Sequence, residues 1–137
     1  MSKKANYLIG GAATAEEYIN LEELIPAIKD ITKIKQEHTY TIKDKLVGKL
    51  KIPDHITHIG AYVFMGCSNL TTVKFPVGLT HIGESAFQEC NMLTDIIFPK
   101  SLESIMYHAF ERCSNLTKIV FPESIKIIYG FTFKDCN

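Results

Sequence analysis

The chain has 137 residues, 46% of them hydrophobic and 22% charged, and its 15 basic residues balance 15 acidic ones to a formal net charge of zero. That balance argues against a nucleic-acid binder, which needs a basic stripe to release counterions from phosphate. The length fits one domain, with or without a small appendage, and no apolar run approaches the roughly 20 residues that cross a bilayer, so membrane insertion is not expected.

Lys3 and Lys4 followed by Tyr7 to Ala13 have the outline of a signal peptide, with Ala13-Thr14-Ala15 as a small-x-small cleavage pattern. The apolar stretch is at the short end for a working signal, and half of it is glycine and alanine. The reading taken is a flexible start before a helix. Thr14-Ala15-Glu16-Glu17 has the form of a capping box, and Tyr18, Leu21, Ile25 and Ile28 follow helical spacing, with Ile31 close behind. Pro26 interrupts that pattern, which predicts one kinked helix or two short ones. Residues 1–45 are therefore expected to form a helical N-terminal cap over the open end of the C-terminal two thirds of the chain.

From Leu46 onward the chain repeats. Pro53, Pro76, Pro99 and Pro122 lie 23 residues apart, as do Cys67, Cys90, Cys113 and Cys136, and Phe64, Phe87, Phe110 and Phe133. Ile56, Leu79, Leu102 and Ile125 keep the same step, and so do Ile59, Ile82, Ile105 and Ile128. Lys43 to Pro53 aligns with the strand half of this unit, with Asp44 where a cysteine should stand. One such unit is too small to bury its own apolar face, so it must stack on a copy of itself. Stacking sets equivalent residues above one another at roughly the 4.8 Å spacing of paired strands, and each column becomes a ladder of like side chains. Within a unit, Leu70 to Phe75 reads as a short strand ended by Pro76, because proline cannot donate to the ladder. Leu79 to Gly83 is a second extended piece, and Ser85 to Cys90 turns the chain. Residues 46–137 are thus an α+β solenoid of about four coils with short parallel strands.

The pattern Ile56-Thr-x-Ile-Gly-x-x-x-Phe64-x-Gly-Cys67-x-Asn-Leu70-x-x-Val-x-Phe-Pro76 resembles the unit of the BspA-type leucine-rich repeats. The match runs over about two thirds of the chain. Gly60 and Gly83 fit it, whereas Met106 and Tyr129 replace that glycine, so the later turns are expected to be less regular. The resemblance implies protein contact without catalysis: adhesion for exported members, scaffolding for those kept inside the cell. It points to the cell surface, while the N-terminus and the thiol column favour the cytoplasm.

A strand turns alternate residues inward and outward. The outward set of the first sheet is Thr71, Thr72 and Lys74, then Thr94, Asp95 and Ile97, then Thr117, Lys118 and Val120. Extended sheets of this kind are the usual contact surface of repeat proteins, so this face is the expected protein-binding site. At the other end, Phe131, Phe133 and Cys136 lie in a last coil with no polar cap, and a homodimer through that end is expected.

Candidate chemistry is sparse. The cysteines include no close Cys-x-x-Cys pair of the kind zinc uses, and parallel thiols in one column point the wrong way for a disulfide, so they read as a reduced structural ladder. His58 and His81 share a repeat position and should stand about 5 Å apart. The column continues as Ser104 and Ile127, so repetition supplies no third ligand, and a solvated pair is the reading taken. His108 and Tyr107 belong to no recognisable triad. No nucleophile elbow, phosphate loop or His-Glu-x-x-His motif occurs, and no enzyme activity, cofactor or metal is expected. The function expected is a protein-protein interaction module, the alternative a self-assembling scaffold.

Overall fold

The computed structural model describes residues 17–136. Ten short strands alternate between two faces: β1 (Ile19–Asn20), β2 (Lys33–Ile34), β3 (Gly48–Lys51), β4 (His58–Ile59), β5 (Leu70–Lys74), β6 (His81–Ile82), β7 (Asp95–Ile97), β8 (Ser104–Ile105), β9 (Lys118–Val120) and β10 (Ile127–Ile128). Paired strands lie one coil apart and run parallel, as they must when successive coils wind in the same sense. The first face runs β1-β3-β5 and then β7-β9, and the second runs unbroken as β2-β4-β6-β8-β10. On the second face Ile59, Ile82, Ile105 and Ile128 stand in register, the ladder expected from the period, and Ile34 extends it by one rung. Pro76, Pro99 and Pro122 follow the strands of the first face and end them.

The core is a stack of like side chains. Phe64, Phe87 and Phe110 are wholly buried, with ring centroids 5.1 and 5.2 Å apart and near-parallel planes. Phe75 and Phe98 meet the edges of that stack at 5.7 Å, a favoured aromatic geometry.

The corner between the second face and the first is held by a third ladder. The amides of Tyr62, Phe64 and Gly66 donate to the carbonyls of Glu84, Ala86 and Gln88 at 2.8–2.9 Å, and the pattern recurs from Ser85, Phe87 and Glu89 to the next coil. Alternate amides can all aim along the solenoid because the chain enters the left-handed region at Tyr62, Ser85, His108 and Phe131, and again at Gly66, Glu89, Arg112 and Asp135. A left-handed residue with a side chain costs about 1–2 kcal/mol, which the inter-coil hydrogen bonds offset. On the N-terminal side, side chains take over the donor role: Thr39 Oγ1 donates to the Val63 carbonyl, and Lys43 Nζ donates to that of Met65 at 2.9 Å.

The N-terminal segment corrects an expectation. Over the described part of residues 1–45, no kinked helix caps the solenoid. The chain makes the four-residue helix α1 (Leu21–Leu24), a 3-10 turn at Pro26–Asp30, the four-residue helix α2 (Gln36–Thr39) and a 3-10 turn at Lys43–Lys45, with β1 before the first helix and β2 before the second. Asn20, rather than Thr14, caps the first helix, its side chain accepting from the Glu22 amide at 3.1 Å; Thr14 lies outside the described residues. Pro26 ends α1 and opens the next turn, because it cannot donate within a helix. Helices this short have no stability of their own; Leu21, Ile25, Ile28 and Ile34 are held because they enter the common core. β1 and β2 join the two faces with offsets of 31 residues (Ile19 with Leu50) and 25 residues (Lys33 with His58), which hides them from a search at 23.

Met106 and Tyr129 do not loosen the later turns as expected. Their amides keep the ladder bond, to Ile82 and Ile105 at 3.0 and 2.9 Å, where Gly83 bonds Ile59 at 2.7 Å.

Candidate functional site

The first face presents the residues that alternation predicted. Leu70, Val73 and Ile96 point inward and are buried, while Lys74, Thr94, Asp95, Thr117 and Lys118 are exposed and Thr71 and Thr72 are half-buried. Asp95 stands opposite Lys118, and Ile97 opposite Val120. Ile97 is 64% and Val120 42% exposed, so two β-branched side chains form an apolar step in open solvent. Toward the N-terminus the same columns continue as Lys49, opposite Thr72, and Lys51, opposite Lys74. The surface therefore grades from lysines to an apolar step. Lys49 and Lys51 precede the first regular unit, and their only signal in the sequence is the alignment of Lys43 to Pro53 with the strand half.

On the second face the imidazoles of His58 and His81 stack with centroids 4.4 Å apart and planes 6° from parallel. Burial first, then His81 and Lys33, lower the pKa of His58 from its ordinary value. Among the described residues no group of three or more His, Cys, Asp or Glu side chains converges as a metal cage.

All four cysteines are free. Cys90, Cys113 and Cys136 each donate the thiol proton to a phenylalanine carbonyl one coil back, Phe64, Phe87 and Phe110, at 3.1–3.2 Å. That bond needs S–H rather than S⁻, and burial acts in the same sense, pushing Cys67 up to about 11 and Cys113 to about 12, with Cys90 well above the usual range. Cys90, Cys113 and Cys136 are satisfied thiol donors, and burial raises the pKa of all four thiols, which disfavours the nucleophilic thiolate.

At the far corner Glu111 is buried and accepts from Gln88 Nε2 at 2.9 Å, with His108 Nδ1 at 2.9 Å and Lys134 Nζ at 3.9 Å. Three polar neighbours account for a carboxylate in that position. The residues expected to mark an uncapped end behave unequally. Phe131 is 61% exposed and carries the ring of His108 at 5.4 Å, whereas Phe133 and Cys136 are half-buried against Phe110 and its carbonyl. Phe121 and Ile128, members of columns buried in earlier coils, are also exposed here.

Short parallel strands, a 23-residue coil and a ladder-built core define a leucine-rich-repeat solenoid. The chain belongs to the BspA type leucine rich repeat region family, whose pattern matches in six copies over residues 32–137. Its fold is similar to that of a leucine-rich repeat protein from Bacteroides ovatus, at 24% identity and a TM-score of 0.56, over 76% of this chain and 34% of that one. It is also similar to a leucine-rich repeat protein from Eubacterium ventriosum, at 25% identity and a TM-score of 0.50, over 65% of this chain and 30% of that one. The chain thus spans about a third of the length of these solved proteins. No curated protein matches.

Proposed function

We propose that this chain is a non-enzymatic protein-binding module whose contact surface is the first sheet face, from Lys49 and Lys51 across Lys74 to Ile97 and Val120. The observation that carries the reading is the in-register exposure of Ile97 beside Val120. Apolar side chains held rigidly on a sheet lose little entropy on binding, and their burial supplies the favourable term. The lysine columns favour a partner with acidic residues facing the N-terminal half. An adhesin-like role is the narrower form of the proposal and rests on the family resemblance alone.

Affinity capture with the wild-type chain and with the Ile97→Lys/Val120→Lys variant tests the face. A partner held by the first and lost by the second, at unchanged circular dichroism, supports it. Equal retention by both moves the contact elsewhere.

The exposure of Phe121, Ile128 and Phe131 favours a second reading, in which the last coil docks a second copy and the chain acts as a self-assembling scaffold. Solution mass by light scattering decides it: a dimer at micromolar concentration supports the reading and a monomer removes it.

A further inference from the structure

One column of the second face carries Lys33, His58, His81 and Ser104 on successive strands. Beside the two histidines run Thr57 and Thr80, and the hydrogen bonds between the columns repeat. Thr57 Oγ1 donates to the Thr32 carbonyl at 3.2 Å and meets His58 Nδ1 at 2.9 Å. Thr80 Oγ1 donates to the Thr57 carbonyl at 3.1 Å and meets His81 Nδ1 at 2.7 Å. A hydroxyl has one proton, and a carbonyl can only accept. Both contacts of each threonine are satisfied together only when the hydroxyl proton goes to the carbonyl and the imidazole N–H donates to the hydroxyl. The proton of each neutral ring is thereby placed on Nδ1.

The consequence falls on the other side of the ring. Nε2 of both imidazoles is left with a bare lone pair, and the near-parallel stacking at 4.4 Å puts the two rings side by side. Metal-binding histidines are prepared in this way in general: a hydrogen bond at one ring nitrogen sets the tautomer and orientation of the other.

We propose that Nε2 of His58 and Nε2 of His81 form a two-imidazole chelate for a divalent transition-metal ion of the zinc, nickel or copper class, with water in the remaining positions. Two nitrogens at about 2.0–2.1 Å from a tetrahedral ion lie roughly 3.3 Å apart. In the near-parallel stack the two Nε2 lone pairs run side by side, so each ring turns out of the stack to aim its lone pair at a shared ion and brings the nitrogens about 1 Å closer than the ring centroids stand. One side chain is half-buried and the other exposed, which leaves room for that rotation. Imidazole is the protein ligand suited to these ions, and a carboxylate-preferring ion such as magnesium is not expected to bind. Ser104 on the next strand supplies no third nitrogen, and Lys33 flanks the pair as a like charge, so the site is an open chelate of modest affinity. Thr57 and Thr80 are positioning residues.

Calorimetric titration of nickel(II) alone into the full chain tests this, run on wild type, His58→Gln and His81→Gln with the cysteines kept reduced. The expected result is one ion per chain for wild type and a loss of at least about a hundredfold in affinity for either variant, since a chelate gains that much over its separate halves. Imidazole nitrogen NMR of the wild-type chain supplies a reading independent of any change the substitutions make to the face itself. Both rings should show the Nδ1–H tautomer before metal, and both Nε2 signals should move on addition. Absence of binding by wild type, binding retained in both variants, loss in only one variant, or perturbation of a single ring would each overturn the chelate.

Discussion

Phe87→Ala probes the stacked core at the point where a repeat protein has most to lose. The ring is wholly buried between Phe64 at 5.1 Å and Phe110 at 5.2 Å, with the edge of Phe75 at 5.7 Å. Truncating a buried phenylalanine costs about 3–5 kcal/mol in transfer and cavity terms. Three aromatic neighbours, each worth about 0.5–1.5 kcal/mol beyond burial, place this site near the top of that range, about 5 kcal/mol. Phe133 occupies the equivalent place in the last coil, touches Phe110 and Phe121 at 5.6 and 5.8 Å and is only partly buried. Its truncation leaves an open notch rather than a sealed cavity and should cost about half as much. Urea unfolding followed by circular dichroism measures both, and with a slope of about 2 kcal/mol/M the Phe87→Ala midpoint falls by roughly 2.5 M. Phe87→Leu keeps most of the volume and should lose about 1–1.5 kcal/mol, so the comparison survives if the alanine variant does not fold. Equal midpoint shifts for Phe87→Ala and Phe133→Ala would refute the idea that stability comes from stacking between coils.

A Cβ at Gly83 would stand 2.7 Å from Ala61 N and from Gly60 C, so Gly83→Ala should destabilise by about 1–3 kcal/mol in the same unfolding assay. Thiol-labelling at pH 8 should modify Cys136 first and leave Cys67, Cys90 and Cys113 untouched until the chain unfolds, because burial raises all four and is least complete at Cys136. The folded thiols hold their protons to higher pH than unfolded ones do, so this contribution is complete below pH about 8.5 and is lost as pH rises toward the folded values. A midpoint that rises between pH 9 and 10 would contradict it.

Much of the fold was legible in the sequence because a ladder core makes one demand many times. Ile59, Ile82, Ile105 and Ile128 must be apolar for the same reason, so the period carried the register, the buried face and the outward set from Thr71 to Val120. Prolines at the strand ends and the absence of close cysteine pairs were equally local signals. The N-terminal coil was not legible. Its offsets of 31 and 25 residues break the period, and Leu21, Ile25 and Ile28 satisfy helical spacing as readily as a chain wound through short turns.

What the tertiary structure alone decided is directional. Left-handed backbone at Tyr62, Ser85, His108 and Phe131 has no residue signature, because tyrosine, serine, histidine and phenylalanine enter that region only when a hydrogen-bonded ladder holds them there. Periodicity placed His58 beside His81, but the threonine hydroxyls that set which nitrogen carries the proton act through bond angles and carbonyl positions in the neighbouring coil. The sequence by itself determined which side chains stack, since burial depends on composition and spacing. Stacking alone settled where donors, lone pairs and open surface point, since hydrogen bonds depend on geometry between coils distant in sequence.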